Sequence, residues 1–522
     1  MIVPPGPSAY SGPARTGETE ETMRKMIAAM LLACLPVPAS AQALRAQYVE
    51  AVGPNLDAYF QRFMAEQHIP GLVYGIVADG RLAYVRAMGS LTPEDPSRAV
   101  TPDSLFRIAS MSKAFTALAI LKLRDAGRLR LDDLAERYVP EMRGWRYPTA
   151  DSPRIRIRDL LSHVGGFVTD DPWGDRQTPL PEAEFTRMLR EGVPFTRAPA
   201  SQYEYSNFGY ALLGRIVTNV SGRPYRDYIE REIMRPLGMT STGYDISAAP
   251  PERRALGWRW ENEAYAREPD MAHGAFGAMG GVQTSANDYA RWAAFLLSAW
   301  PPRDGAEQGP VRRSTIRELA QGLNFASVTH RPGQPDSCPQ ATTYGMGFRV
   351  AQDCDLGLTL AHGGGYPGYG SYLLLLPEYR VAIFAFANRT YAGPSPPVWQ
   401  AAVELRRRGA LVPYFNVGSP ALDAGYRVAR AMWAAGSLEP GRQSLAMNFL
   451  MDRSAENWAR EFARLKSEAG ACRTATAMNP TGALTATFEW ECERGRLQGQ
   501  LLLAPTNPPT IQALRLRVVP NP

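Results

Sequence analysis

The hydrophobic positions near the amino end of the chain predict a helix followed by a β-hairpin. Residues 54–67 form a helical stretch, and two half-buried apolar segments, 71–77 and 82–87, flank the dipeptide Asp79-Gly80. An Asp-Gly pair supplies the positive φ angles of a type I′ turn, so we expect the two segments to pair as antiparallel strands.

More strands are predicted towards the other end of the same region, in residues 344–350, 358–362, 371–376 and 381–388. Gly, Pro and acidic turns separate these segments, which indicates hairpins rather than crossover connections. We therefore expect an antiparallel sheet built from both ends of a domain spanning about residues 45–410, with a helical middle inserted between them.

The helical middle contains one segment with an unusual pattern. Residues 114–121 are apolar on almost every face and are followed by Gly127, which predicts a central, buried helix. Residues 211–220, 225–234 and 290–297 instead show the pattern of surface-type amphipathic helices.

A separate series of predicted helices and strands begins at about residue 415. Beyond this point the pattern predicts helices near 421–435 and 455–468, and strands over 486–492, 497–503 and 511–519. This order resembles small cystatin-like or nuclear-transport-factor-like folds, and it predicts a separate accessory α+β domain over residues 415–522.

The amino end predicts an exported protein. Arg24-Lys25 is followed by an apolar run over residues 26–37, too short to span a bilayer, and then by small residues up to Ala41. We assign residues 1–41 to an N-terminal extension and signal peptide, with cleavage near Ala41 and a periplasmic or secreted product. A lipoprotein processing box at Cys34 is the alternative, and it would tether the protein to the membrane.

The composition is typical of a globular protein and gives no sign of nucleic-acid binding. The chain has 522 residues, is 45% hydrophobic and 21% charged, and carries a formal net charge of +6. These values are ordinary for globular proteins and exclude disordered, collagen-like and coiled-coil classes. Because few Lys or Arg residues cluster with aromatic residues, we do not expect nucleic acid to be a partner.

The expected export favours disulfide bonds between the cysteines. Apart from Cys34 there are four, Cys338, Cys354, Cys472 and Cys492, and none lies in a C-x-x-C pair. In an oxidising compartment Cys338–Cys354 and Cys472–Cys492 are expected to be disulfides, each worth roughly 3 kcal/mol in the chain-entropy model. Four free, buried thiols are the alternative.

Lysine is rare in this chain, and one lysine lies in a chemically suggestive place. Only Lys25, Lys113, Lys122 and Lys466 are lysine. Ser110 opens the predicted buried helix and Lys113 follows three residues later, so the two side chains share a helix face. The helix dipole favours an oxyanion at Ser110, and burial lowers the pKa of Lys113 towards that of a base.

Two further motifs complete a recognisable set. Tyr205 and Asn207 form a Tyr-x-Asn pattern before a predicted helix, and His362 begins a glycine run at the end of a predicted strand. With S-x-x-K at Ser110 and Lys113, they resemble the three motifs of penicillin-recognising serine hydrolases, which include class C β-lactamases, serine DD-carboxypeptidases and D-aminopeptidases. The resemblance covers about residues 50–400 in the expected order.

The resemblance implies an α/β fold of the α+β sandwich kind, with a β-lactamase/transpeptidase-like antiparallel sheet flanked by helices and a helical subdomain. It also implies that Ser110 is the nucleophile and that Lys113 and Tyr205 share its proton. Asn207 would hydrogen-bond Lys113 and the substrate amide. No cofactor is implied.

The glycine run and His362 are expected to face the substrate. The resemblance implies an oxyanion hole made by the N–H groups of Ser110 and Gly365, with Gly364 also lacking a side chain that would block backbone approach. The chain has no H-E-x-x-H motif, and its remaining histidines share no ligand spacing, so no metal site is predicted.

The third motif carries the substrate prediction. It begins with His362 where β-lactamases of this family usually have Lys, and a histidine with the ordinary pKa of about 6.5 is mostly neutral at pH 7. Its attraction for an anionic substrate should therefore be weak and dependent on pH. We expect a serine hydrolase acting on small esters or on D-amino-acid-containing amides and peptides; a true class C-like β-lactamase and a penicillin-binding sensor without turnover are the alternatives.

Overall fold

A computed structural model describes residues 39–414 and 418–520, with side chains from residue 46 onward. The predicted signal sequence before residue 39 and the alternative anchor at Cys34 lie outside the described residues. The predicted cleavage site near Ala41 falls in the first turn of the first described helix. Among the described helices, none is both long enough and apolar enough to cross a membrane.

Twelve strands lie between residues 71 and 387 of the described chain. They are β1 Gly71–Ala78, β2 Arg81–Gly89, β3 Phe106–Arg107, β4 Trp258–Glu261, β5 Ala264–Arg267, β6 Gln283–Thr284, β7 Asn324–Thr329, β8 Gln340–Tyr344, β9 Arg349–Asp353, β10 Gly357–Tyr366, β11 Tyr369–Leu376 and β12 Val381–Ala387. Eight of them form one antiparallel sheet in the order β2-β1-β12-β11-β10-β9-β8-β7, and the others form the short pairs β3/β6 and β4/β5. The predicted α+β fold is confirmed.

Helices cover both faces of this sheet. They are α1 Ala39–Val52, α2 Asp57–Glu66, α3 Lys113–Asp125, α4 Ile157–Leu161, α5 Trp173–Arg176, α6 Glu182–Glu191, α7 Asn207–Ser221, α8 Tyr225–Ile229, α9 Gly277–Gly280, α10 Ala286–Leu297, α11 Arg313–Glu318 and α12 Ser395–Arg407. Alternate residues of β1 enter two different hydrophobic cores, one shared with α3, α7 and α10 and the other with α1, α2 and α12.

The hairpin predicted around Asp79-Gly80 is confirmed, whereas the prediction of a continuous strand over residues 344–350 is wrong. Asp79 and Gly80 have φ angles of 49° and 84°, as the turn between β1 and β2 requires. Residues 345–348 form a turn between β8 and β9 instead of a continuous strand. Gly347 in this turn has a φ of 84°, a backbone conformation that a strand does not contain.

The helix predicted over residues 211–220 is longer and more buried than expected. It begins at Asn207, where the Ser206 side chain caps it, and most of its side chains are buried. It packs against α3, and this contact explains why an apparently amphipathic pattern belongs to a central helix. The buried helix α3 is confirmed over Lys113–Asp125.

Residues 420–519 contain two helices and a five-stranded antiparallel sheet. The elements are α13 Pro420–Ala435, α14 Ala455–Ala469, β13 Cys472–Arg473, β14 Asn479–Gly482, β15 Thr485–Cys492, β16 Gly495–Leu503 and β17 Ile511–Val519. They surround a hydrophobic core of their own that includes Trp433, Phe462 and Trp490. The division of the chain into domains 45–410 and 415–522 stays a prediction.

Both predicted disulfides are formed. Cys338 is bonded to Cys354, and Cys472 is bonded to Cys492. The second bridge joins the directly paired strands β13 and β15. The alternative of four free thiols is therefore wrong.

Candidate active site

The candidate nucleophile lies on a tight turn that leads into α3. Residues Ala109–Ser112 form a single 3₁₀ turn, and Ala109 holds a φ of 47°, a conformation that costs a residue with a side chain about 1–2 kcal/mol. This turn places Ser110 at the start of the helical segment, where the Ser110 N–H has no partner within the helix. Ser110 is only 6% exposed.

Gly364 lets the neighbouring strand β10 approach the back of this turn. A Cβ atom at Gly364 would clash with the Ile108 carbonyl oxygen and with Ser371 Oγ. Ser371 Oγ also donates a hydrogen bond of 2.8 Å to the Ile108 carbonyl. Gly364 therefore supports the turn from behind, and it does not face the pocket.

Lys113 is completely buried and is surrounded by oxygen acceptors. Its Nζ atom lies 2.9 Å from Ser110 Oγ, 2.7 Å from Asn207 Oδ1 and 3.0 Å from the Met279 carbonyl oxygen. The predicted Ser-Lys pair and the predicted contact of Asn207 with Lys113 are thus brought together. An ammonium group has three donors, so this arrangement satisfies all of them.

Two opposing influences set the pKa of Lys113. Burial lowers the pKa to about 8, while the carboxylates of Asp171, Asp175 and Asp170 oppose this change. About a tenth of the Lys113 side chains would then be neutral at pH 7, and most would be neutral at pH 9. Lys113 is therefore able to exchange a proton with Ser110 near neutral pH.

Tyr205 packs on the other side of Lys113. Its ring centroid is 4.8 Å from Lys113 Nζ and 4.3 Å from the ring of His163. Burial and the charge of Asp171 raise the pKa of Tyr205 well above its usual range, and a hydrogen bond with Ser110 opposes them. Tyr205 is therefore a protonated phenol in the resting site.

His163 lies behind Tyr205 and holds the chain next to it. Its Nδ1 atom accepts a hydrogen bond of 3.1 Å from the N–H of Ser206, the residue that caps α7. Burial and the nearby charge of Lys113 lower the pKa of His163 well below its usual range, so the ring is neutral. This position supports a structural role.

His362 differs from the sequence prediction in its electrostatics. Burial, together with the charge of Lys113, lowers the pKa of His362 to about 3, so the assumption of an ordinary histidine pKa was wrong. The ring nitrogens lie 3.0 Å from the Tyr344 hydroxyl and 2.7 Å from the Gly363 carbonyl oxygen. These partners fit a neutral ring that donates through Nδ1 and accepts through Nε2.

These side chains meet at a cavity of about 360 Å³. Its lining residues are Ser110, Thr169, Asp171, Asp175, Tyr205, Arg349, His362, Gly363, Gly365 and Tyr391. Four of the predicted site residues are therefore on the surface of one pocket, and Lys113 and Asn207 lie directly behind Ser110. A Cβ atom at Gly365 would lie 2.7 Å from the Tyr391 ring, so that ring covers the strand beside the expected oxyanion position.

Sequence reasoning missed an acidic loop on one side of the pocket. The N–H groups of Asn207 and Phe208 donate to Asp170 at 2.6 and 2.8 Å, and the Asn207 side-chain amide donates to Asp171. The Tyr391 hydroxyl donates to Asp175 at 3.1 Å. The only sequence signal was three aspartates within six residues, between the Ser-Lys and Tyr-x-Asn motifs.

Sequence reasoning also missed Arg349, which lies in the pocket lining. Arg349 begins β9 and pairs with Ala361, the residue before His362. It is exposed, and its guanidinium carbon lies 6.0 Å from the centroid of the Tyr203 ring. Arg349 therefore supplies a positive charge to a pocket in which His362 is neutral.

The described residues contain no group of three or more His, Cys, Asp or Glu side chains placed to hold a metal ion. The pocket brings together a serine, a lysine and a tyrosine, a set of groups suited to acyl transfer through a covalent intermediate. The fold and this site define a serine hydrolase of the penicillin-recognising class.

Comparison with known proteins gives the family. The profile of the Beta-lactamase family matches residues 56–407, so the chain belongs to that family. It is 28% identical over 354 residues to the D-alanyl-D-alanine-carboxypeptidase/endopeptidase AmpH of Escherichia coli K12, covering 66% of this chain and 88% of AmpH. It is also 28% identical over 340 residues to Protein flp of Staphylococcus aureus strain COL, covering 64% of this chain and 62% of that protein.

Solved structures agree on the fold. The octameric penicillin-binding protein homologue from Pyrococcus abyssi aligns with a TM-score of 0.58 at 19% identity, over 89% of this chain and 99% of that one. The D-alanine carboxypeptidase AmpC from Burkholderia cenocepacia aligns with a TM-score of 0.54 at 21% identity, over 70% of this chain and 100% of that one.

Proposed function

We propose that Ser110 forms an acyl-enzyme with small esters or D-amino-acid-containing peptides and that water then hydrolyses it. The observation that carries this proposal is the contact of 2.9 Å between Ser110 Oγ and the buried Lys113 Nζ, on the wall of a pocket. A serine beside a base whose pKa is lowered to about 8 is an activated nucleophile.

The chemical steps use groups that are in contact. Ser110 Oγ bonds to the substrate carbonyl carbon while its proton passes to the neutral form of Lys113, which lies 2.9 Å away. That proton then goes to the departing alcohol or amine as its bond to the carbonyl carbon breaks. The N–H groups of Ser110 and Gly365 stabilise the oxyanion, and a water molecule later releases the acid and returns a proton to Ser110.

Within this class, Arg349 favours peptides that end in a free carboxylate, although Asp171 and Asp175 of the same lining would repel one. His362 is neutral, and Arg349 is the exposed cation of the pocket lining. A carboxylate needs a partner that stays charged at every working pH, and Arg meets this requirement. The similarity to AmpH, which is named a D-alanyl-D-alanine-carboxypeptidase/endopeptidase, supports the same substrate class.

Two further parts of the proposal concern location and the carboxyl-terminal region. Two disulfides fit an oxidising compartment, and with the predicted signal peptide they support export to the periplasm or outside the cell. The region over residues 415–522 is proposed to be an accessory domain that supplies no catalytic group.

Labelling tests the covalent step. Incubation of the full-length protein with a fluorophosphonate, followed by intact mass measurement, should give one adduct on the wild type and on the control variant Ser97→Ala. The Ser110→Ala variant should give none. Equal labelling of Ser110→Ala and the wild type would show that Ser110 is not the nucleophile.

A substrate panel tests the class. Values of kcat/KM should be measured for p-nitrophenyl esters, D-Ala-D-Ala peptides, D-aminoacyl anilides and nitrocefin. We expect Arg349→Gln to raise KM about tenfold or more for the peptides with a free carboxylate and to leave the esters nearly unchanged, because a charge-assisted hydrogen bond is lost only in the first case. The exposed Arg146→Gln is the control. A nitrocefin value about ten times above the others would favour a true β-lactamase, and acylation without turnover would favour a sensor.

A further inference from the structure

Asn207 is held from three directions at the start of α7. Its backbone N–H donates to Asp170, its side-chain oxygen accepts from Lys113 at 2.7 Å, and its side-chain nitrogen donates to Asp171. Gly174 packs on the same side chain, because a Cβ atom there would lie 2.7 Å from Asn207 Cβ and 2.9 Å from Nδ2. The amide therefore has little space in which to change its rotamer.

We propose that Asp171 is a positioning residue for the Ser110–Lys113 pair, acting through the side-chain amide of Asn207. This inference rests on the proposed function of Ser110 and Lys113. It assigns to the acidic loop a task that no other carboxylate of the loop performs, since Asp170 caps the backbone of α7 and Asp175 holds Tyr391.

The chemistry of an amide explains why a carboxylate is needed on its far side. An Asn side chain has one acceptor end and one donor end that are nearly the same size. If the amide turned over, its NH₂ group would face the Lys113 ammonium group and its oxygen would face the Asp171 carboxylate. Both contacts would be repulsive, so Asp171 and Lys113 together select the orientation in which Asn207 Oδ1 holds Lys113.

Asp171 also acts on Lys113 through its charge. Around Lys113 the charged and titratable groups are Asp170, Asp171 and Asp175 from the loop, Tyr205 and Tyr210 on or before α7, His163 after α4, and His362 on β10. Removal of one carboxylate from this set leaves burial less opposed, so the pKa of Lys113 falls further. The position of Asn207 and the proton affinity of Lys113 are therefore separable consequences of one side chain.

Two substitutions at the same position separate these consequences. Asp171→Asn removes the charge but keeps an oxygen that accepts from Asn207, whereas Asp171→Ala removes both. The exposed Asp151→Asn, which lies outside the pocket lining, is the matched control. The full-length protein is used, with the pH dependence of kcat/KM for a p-nitrophenyl ester and with the rate of fluorophosphonate labelling as the two measurements.

We expect Asp171→Asn to keep kcat/KM within about fivefold of the wild type at its optimum, and to move the acid limb to lower pH by about half a unit, the size expected for a partly exposed charge. Asp171→Ala should move the same limb and also lose about 10–100-fold in kcat and labelling rate with KM nearly unchanged, because one charge-assisted hydrogen bond is lost.

Each other outcome has a distinct meaning. Wild-type protein that is not labelled at Ser110 would contradict the proposed function itself. With wild-type labelling intact, equal rates for Asp171→Ala and the wild type, or an equal loss of rate in Asp171→Asn and Asp171→Ala, would overturn the positioning role alone. A rise in KM without a change in the limb would instead show that Asp171 contacts the substrate, and it would overturn the proposal as well.

Discussion

The two buried bases of the pocket, Lys113 and His362, respond differently to similar burial. Both side chains are removed from water, and burial lowers the pKa of each. The pKa of Lys113 stops at about 8 because the charges of three nearby carboxylates oppose burial. The pKa of His362 falls to about 3 because the charges of Lys113 and Arg349 act in the same direction as burial, and only the hydrogen bond with the Gly363 carbonyl oxygen opposes them.

The difference teaches that the partners of a buried base decide whether it can exchange protons near neutral pH. Lys113 keeps a pKa close to the working range and so is suited to proton transfer. His362 keeps one protonation state across that range and so is suited to fixed hydrogen bonding. Lys113 is therefore the group that exchanges protons, whereas His362 keeps the same hydrogen bonds across the working pH range.

The largest expected effect comes from replacing the proton-exchanging base. Lys113→Arg keeps a positive charge but cannot act as a base, so kcat should fall about 10²–10⁴-fold. Steady-state hydrolysis of a p-nitrophenyl ester measures this, with Lys122→Arg, on the same helix but outside the pocket, as the control. Nearly normal turnover in Lys113→Arg would mean that charge alone is needed, and the contrast between the two bases would lose its basis.

The pH profile of kcat/KM for the wild type should show the ionisation of Lys113 but not that of His362. If Lys113 must be neutral to accept the proton of Ser110, kcat/KM should rise about tenfold between pH 7 and pH 9, since its pKa is about 8. His362 should add no limb between pH 5 and pH 7, because its ring stays neutral there. A limb near pH 6.5 that disappears in His362→Gln would contradict this assignment.

The low pKa of His362 should instead affect how the free energy of unfolding depends on pH. Its pKa is lower in the folded than in the unfolded state, so its contribution is complete above about pH 6.5 and is lost as the pH falls towards about 3. At pH 5 the loss is about 2 kcal/mol. The drop in unfolding free energy between pH 7.5 and pH 5 should therefore be smaller for His362→Gln than for the wild type or for the exposed His330→Gln. Equal drops would show that His362 takes up a proton in the folded state.

The smallest effect on the active site is expected from a change far from either base. Replacing Cys472 and Cys492 by serine removes the bridge between β13 and β15, and it should cost the carboxyl-terminal region roughly 3 kcal/mol. The rate of Ser110 labelling and its pH profile should not change. An altered profile would mean that this region influences Lys113, and the contrast could then no longer be explained within the pocket.

Much of the fold and of the site was predictable from local patterns. The hairpin at Asp79-Gly80, the buried helix α3, and the close pairing of Ser110 with Lys113 all depend on residues near each other in the chain. Local turn chemistry and the i, i+3 spacing of a helix were sufficient for these features.

The rest depended on contacts between distant parts of the chain. Arg349 reaches the pocket because β9 pairs with β10, and Asp171 reaches Asn207 because the acidic loop folds over the start of α7. The pKa of His362 could not be predicted, because neither the burial of the ring nor its distance from Lys113 is visible in sequence spacing.

The left-handed backbone at Ala109 makes Ser110 a reporter of the assembled central sheet. An isolated peptide would not populate this conformation, which is held in place by the packing of β10 and β11 behind the turn. The reactive geometry of Ser110 should therefore exist only in molecules whose central sheet is assembled. The yield of covalent labelling then counts folded molecules, so the same probe that detects the active site also measures how much of a preparation, or of a destabilised variant, has reached the native state.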